Sequence, residues 1–85
     1  MKNNWLITFR SVTYAQKGEK ALKRAGIDCT MLRTPKELSQ QGCGYCLRLR
    51  AKDVITAVDL LRGNAILYGK TYALTDGGHP EEREV

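Results

Sequence analysis

Apolar residues recur along the chain at spacings that predict a short domain of mixed strands and helices. Trp5–Phe9 is apolar and rich in strand-forming residues, so it predicts a first strand. A helix is expected to begin near Ser11 or Thr13 and to stop at Gly26. Gly18 lies on the apolar face of this helix, where the missing side chain would let the helix approach a sheet closely. That face comprises Tyr14, Gly18, Ala21, Leu22 and Ala25.

The second half of the chain repeats this order of elements. Ile27–Thr34 predicts a second strand, and Tyr45–Arg50 predicts a third strand after a connector. Asp53 is suited to cap a second helix, and Ala65–Leu74 predicts the last strand. The buried face of the second helix is expected to comprise Val54, Ala57, Val58 and Leu61.

This order predicts an α+β fold of the ferredoxin-like type, βαββαβ, with a four-stranded antiparallel sheet and both helices on one face. The helices would cover one sheet face and leave the other available. Alternation along the third strand puts Tyr45, Leu47 and Leu49 on one face and Cys46, Arg48 and Arg50 on the other. The fold hosts enzymes, RNA-binding domains and ligand sensors, so it does not decide the function.

Charge divides the chain into a basic body and an acidic end. The 85 residues carry a formal net charge of +5, and residues 75–85 carry four acids and one base. The remaining charge on residues 1–74 is therefore +8, which favours anionic partners. We expect a single domain over residues 1–74 and a flexible acidic tail over residues 75–85, because turn formers and a charge run fill the tail.

The sequence also predicts a cellular compartment. No apolar run reaches the roughly 20 residues that span a bilayer, and the N-terminus lacks the pattern of a signal peptide. A cytoplasmic location is therefore expected. In that reducing compartment an odd count of three cysteines indicates a reactive or metal-binding pair rather than a disulfide framework.

The cysteine pair is the motif Cys43-Gly44-Tyr45-Cys46, a CxxC. This spacing supports a reversible disulfide, a shared metal, or a sulfur intermediate on one thiolate that the other thiol resolves. The motif leads into a strand rather than into the N-terminus of a helix, which disfavours thioredoxin-type chemistry. Cys43 and Cys46 are the candidate catalytic residues.

Four neighbours of this pair are candidate supporting residues. Gly42 and Gly44 form a turn in which backbone N–H groups could converge on an anion. Arg48 and Arg50 share a strand face with Cys46. The turn around Cys43 and the arginines beside Cys46 are each expected to lower the pKa of the neighbouring thiol from its ordinary value.

A zinc site is the main alternative for the cysteines. Within one chain its ligands would have to come from Cys29, Cys43, Cys46 and His79, and two chains could instead share two CxxC pairs. Cysteines packed as small apolar groups are the other alternative. Cys29 is interpreted as a packing residue of the second strand, and no metal is assigned to the chain.

The segment Pro35–Ser39 and the Cys43-Gly44 pair that follows it, together with the first strand and helix, resemble a family of short bacterial domains, the Se/S carrier protein-like family. The resemblance covers residues 5–74, and its most specific part is Pro35-Lys36-Glu37-Leu38-Ser39 followed by Cys43-Gly44. The functional candidate of that family is the cysteine of the Cys-Gly pair, which corresponds to Cys43. The resemblance implies a carrier of sulfur or selenium.

Under this hypothesis Cys43 receives a persulfide or perselenide from a desulfurase or selenocysteine lyase and passes it to an acceptor such as a selenophosphate synthetase. The chain is then a carrier protein rather than an enzyme and needs no cofactor. It would act as a monomer or a homodimer. A basic nucleic-acid-binding module and a small regulatory or dimerisation domain remain as alternatives.

Overall fold

The computed structural model describes residues 4–35, 38, 44–74 and 79–85. A short 3₁₀ turn over Ala51–Asp53 precedes the second helix. No helix in this part of the chain has the length and apolar character to cross a membrane. The elements are β1 (Asn4–Phe9), α1 (Val12–Arg24), β2 (Cys29–Arg33), β3 (Tyr45–Arg50), α2 (Val54–Gly63), β4 (Thr71–Leu74) and β5 (Pro80–Glu82).

The strands form one sheet in the order β2-β3-β1-β4-β5, and each neighbouring pair is antiparallel. The predicted α+β class, with two helices and an antiparallel sheet, is confirmed. The predicted number of four strands is wrong, because the sheet has a fifth strand beyond β4.

The fifth strand comes from the segment that the sequence assigned to a flexible tail. Pro80–Glu82 pairs with β4, and the Arg83 N–H donates to the Thr71 carbonyl at 3.0 Å. The Thr71 hydroxyl donates to the Arg83 carbonyl. Without these partners β4 would present a row of unpaired backbone groups at the sheet edge. Residues 75–78 lie outside the described residues, and the domain boundary at residue 74 stays a prediction.

Two predicted strands begin later in the structure than expected, and an early residue of each predicted strand hydrogen-bonds to the end of the preceding helix. The Ile27 N–H donates to the Leu22 carbonyl at 2.9 Å, so β2 begins at Cys29. The Ile66 N–H donates to the Leu61 carbonyl at 2.9 Å, and β4 begins only at Thr71. These bonds satisfy carbonyls at the end of each helix.

The two helix starts differ in how they are capped. The Ser11 hydroxyl accepts a hydrogen bond from the Tyr14 N–H at 3.2 Å, so α1 begins at the first of the two predicted positions. Asp53 precedes α2, but its side chain makes no capping hydrogen bond. The 3₁₀ turn leads directly into α2, which explains why a side-chain cap is not formed there.

The main core lies between the helices and one face of the sheet. Gly18 lies at the closest approach, since a Cβ atom there would stand 3.0 Å from Phe9 Cζ. This contact confirms the predicted role of Gly18. Ala25, by contrast, is exposed beyond the end of α1. The buried residues of this core are Ile7, Phe9, Ala15, Leu22, Ile27, Cys29, Leu47, Leu49, Ala57, Val58, Leu61 and Ile66.

A second, smaller apolar cluster lies on the opposite face of the sheet. We call it the outer cluster. Its buried members are Leu6, Cys46 and Tyr72, and Leu32, Leu38 and Leu74 pack against them. The sequence predicted that this face would be left available, and that prediction is wrong for the area around Cys46. Leu38, from the connector between β2 and β3, supplies part of the cover.

Candidate functional site

The predicted site begins at the N-terminal end of β3. Cys43 and Gly42 lie outside the described residues, so their expected roles stay predictions. The described part of the site consists of Gly44 and the side chains that alternate along β3 on the face of the outer cluster. These side chains are Cys46, Arg48 and Arg50.

Gly44 is held against the end of β2. The Thr34 N–H donates to the Gly44 carbonyl at 3.0 Å, which extends the pairing of β2 with β3 by one residue. A Cβ atom on Gly44 would stand 3.1 Å from Thr34 Oγ1 and 3.3 Å from the Phe9 carbonyl oxygen. A side chain at this position would therefore crowd Thr34 and the end of β1.

The Cys46 side chain lies inside the outer cluster. Its exposed fraction is 0%, and it packs with Leu6 and Tyr72. The pairing register places Cys46 opposite Thr8 on one side and Leu32 on the other. A partner protein cannot reach this thiol while the outer cluster is intact.

Burial also controls the protonation of Cys46. It raises the pKa of the thiol, because a thiolate would lose its hydration in the cluster. The neighbouring Thr34 hydroxyl and the positive charge of Arg48 lower this pKa, but their effect is smaller. Thr34 Oγ1 is itself buried and makes no hydrogen bond of regular geometry. The predicted lowering of the Cys46 pKa is wrong, since desolvation outweighs the nearby charge.

Cys29 lies on the other side of the sheet. It belongs to the main core and is 8% exposed, in agreement with its interpretation as a packing residue. Burial raises the pKa of this thiol, and the carboxylates of Glu19 and Asp28 add to that effect, whereas Lys23 opposes it. Cys29 and Cys46 are both free thiols on opposite faces.

The described residues bring no metal ligands together. Among them, no group of three or more His, Cys, Asp or Glu side chains is placed to hold a metal ion. Cys43, which the predicted zinc sites would use, lies outside the described residues.

Arg48 and Arg50 are exposed on the same face as Cys46. Arg48 lies two residues from Cys46, and its positive charge lowers the pKa of the Cys46 thiol. Arg50 lies at the far end of β3. The arginines therefore form the open part of a face whose other part is apolar and covered.

Three residues of this region were not among the predicted site residues: Thr34, Leu38 and Tyr72. Alternation along β2 puts Thr34 on the same face as Leu32, so strand periodicity could have placed it near Cys46. The position of Leu38 depends on how the connector folds back, for which the sequence carries no periodic signal. Tyr72 lies in the predicted last strand, but a strand assignment alone does not show that it covers Cys46.

Comparison with known proteins gives one result. No curated protein and no solved structure gives a significant match to the chain. The model of a family described as "Putative Se/S carrier protein-like" matches residues 4–73, which includes every element from β1 to α2 and most of β4. The chain belongs to the Se/S carrier protein-like family.

Proposed function

We propose that this protein carries sulfur or selenium as a persulfide or perselenide on Cys43. The observation that carries the proposal is family membership over residues 4–73, a range that contains the Cys43-Gly44 pair. The burial of the other two cysteines supports it, because neither Cys29 nor Cys46 is accessible to a donor protein in the described fold.

Loading would be a thiol exchange. The Cys43 thiolate attacks the outer sulfur of a persulfide on the donor, and the bond between the two donor sulfurs breaks. The donor leaves as a thiolate, and Cys43 becomes a persulfide. A perselenide forms in the same way from a donor that holds selenium. No external oxidant or reductant is required in this step.

Release can follow two routes. In the first, an acceptor nucleophile attacks the outer atom and regenerates the Cys43 thiolate. In the second, Cys46 attacks the inner sulfur, a disulfide forms between Cys43 and Cys46, and the outer atom leaves as sulfide or selenide. Burial and a raised pKa favour the first route, because Cys46 becomes a nucleophile only when the outer cluster opens.

The partners follow from the carrier role. We propose a desulfurase or a selenocysteine lyase as the donor and an enzyme such as a selenophosphate synthetase as the acceptor, in the cytoplasm. We further assign the four strands β2-β3-β1-β4 and the two helices to the ferredoxin-like type. The helices after β1 and after β3 support that assignment.

Intact mass spectrometry tests the proposal. The reduced protein is incubated with a cysteine desulfurase and cysteine, or with a selenocysteine lyase and selenocysteine. We expect an adduct of one sulfur or one selenium atom, which Cys43→Ser abolishes and Cys29→Ala retains. Absence of the adduct in the unaltered chain, or its persistence in Cys43→Ser, would contradict the carrier role.

Cys46→Ala distinguishes the two release routes. If the acceptor takes the chalcogen directly, release to an added thiol proceeds at the unaltered rate in this variant. If Cys46 resolves the persulfide, the variant accumulates loaded protein and forms no internal disulfide.

A further inference from the structure

A shallow pocket lies at the open end of the face that carries Arg48 and Arg50. Its volume is about 300 Å³. It lies where β3 ends and where β1 and β2 begin, and none of its lining residues belongs to the outer cluster. The polar side chains that line it belong to Asn4, Asp28, Thr30, Arg48 and Arg50.

Arg48 and Arg50 both line this pocket. Arg48 and Arg50 are two positions apart on one strand, so their side chains leave the same face about 7 Å apart. Guanidinium groups at this spacing can both donate to one oxyanion, since each presents a planar set of N–H donors.

Each arginine also has a polar neighbour on the adjacent strand. The register places Thr30 directly opposite Arg48 and Asn4 directly opposite Arg50. A hydroxyl and an amide are donors that would complete the coordination of an oxyanion held by two arginines.

Neither guanidinium is neutralised within the part of the chain that the structure describes. The ion pairs there join Lys23 to Glu19, Lys70 to Glu82 and Arg83 to Glu81. Asp28 lines the same pocket but makes no ion pair within 4.0 Å of either arginine. Two arginines without an ion pair and one carboxylate therefore line the same concave surface.

From these observations we infer that the pocket binds a small oxyanion with two negative charges, of the phosphate or sulfate class. The anion would lie between Arg48 and Arg50 and accept hydrogen bonds from Thr30 and Asn4. This site is independent of Cys43, and it is expected in the thiol form of the protein.

An NMR titration of ¹⁵N-labelled protein with inorganic phosphate tests the inference, with chloride adjusted to keep the ionic strength constant. We expect saturable shifts of the Thr30, Arg48 and Arg50 amide signals. Arg48→Gln and Arg50→Gln should each weaken binding about tenfold or more, which corresponds to the loss of one charge-assisted contact.

Arg33→Gln is the matched control. Arg33 is also exposed on a strand and carries the same charge, but it does not line the pocket. The Arg33→Gln substitution should weaken phosphate binding less than twofold. Asp28→Asn should tighten binding, because it removes the one carboxylate that lines the pocket. A second arm with glycerol phosphate distinguishes a free anion from the terminal group of a phosphate ester.

Three results would overturn the inference: shifts that do not saturate, equal weakening in Arg33→Gln, or weaker binding in Asp28→Asn. The same titration on Cys43→Ser should give the unaltered affinity. Failure of the carrier proposal and failure of the anion site are thereby observed in separate experiments.

Discussion

The buried thiols of Cys29 and Cys46 link the chemistry of single residues to the stability of the fold. Burial raises the pKa of both thiols, so the folded protein holds their protons more tightly than the unfolded chain does. The resulting stabilisation is complete below the ordinary thiol pKa of 9.0 and declines as pH rises through the folded-state values.

We therefore expect the free energy of unfolding to fall as pH rises above 9.0, and to fall less in the double variant Cys29→Ala, Cys46→Ala. Urea unfolding at a series of pH values measures the difference between the two proteins. Below about pH 8 the two curves should run parallel, because both thiols are then protonated in either state. If the free energy of unfolding falls equally in both proteins above pH 9.0, neither thiol contributes to the pH dependence of stability.

Gly44→Ala should destabilise the fold by about 1–2 kcal/mol. The new Cβ atom would meet Thr34 Oγ1 at 3.1 Å and the Phe9 carbonyl oxygen at 3.3 Å, and the latter belongs to the backbone of a central strand. Urea unfolding at neutral pH measures the loss.

Gly63→Ala is the control for this substitution. Gly63 is the last residue of α2, and a Cβ atom there meets no atom within 4 Å. This variant should keep its stability or gain about 0.5–1 kcal/mol from a better helix-forming residue. Equal stability of the two variants would contradict the close approach of β2 and β3 at Gly44.

At the scale of elements, β5 is the feature that sequence reasoning missed. A three-residue strand that begins with proline and continues with two glutamates has the composition of a solvated tail. Its pairing depends on the free edge of β4, which is known only once the sheet is assembled. The outer cluster could not be predicted from the sequence either, because Leu38 reaches it from a connector that has no periodic apolar pattern.

Removal of residues 79–85 should lower stability by about 1–3 kcal/mol, because β4 loses its ladder to β5 and the bond from the Arg83 N–H to Thr71. The thermal midpoint should fall by roughly 4–8 °C for each kcal/mol. Removal of residues 84–85 alone leaves these bonds in place and should have little effect. If both truncations melt at the temperature of the full chain, β5 does not contribute to stability.

Elements with strong periodicity could be predicted from the sequence, and the environment of the site could not. The alternation in β3 correctly separated Leu47 and Leu49 from Cys46 and Arg48. It also placed Cys46 beside a positive charge, but it could not show that Leu6, Tyr72 and Leu38 exclude water there. The sign of the pKa shift depends on that exclusion, so the predicted sign was wrong.

At the scale of the whole molecule, the net charge of +5 is not matched by exposed aromatic residues on the described strands of the sheet face opposite the helices. Tyr72 lies on the face opposite the helices, but it is 8% exposed and packs in the outer cluster. Single-stranded nucleic acids are bound by aromatic stacking together with charge, and this sheet face offers only the charge.

We therefore expect weak binding to mixed oligonucleotides that does not depend on their sequence. It should fall about tenfold or more when salt rises from about 50 to about 200 mM. Fluorescence anisotropy at several salt concentrations measures this dependence, and heparin should compete as well as RNA does. Binding that selects a sequence and survives the salt increase would contradict this expectation.

Cys29 and Cys46 lie on opposite faces of the sheet. This placement has a consequence for the oxidation of the protein during storage in air. A disulfide between these two cysteines would require the β-sheet to come apart, because each side chain packs on a different face. Peroxide and dissolved oxygen react with accessible thiolates, so both residues should keep their native mass during storage. Thiol oxidation in the folded protein should then spare two of its three cysteines.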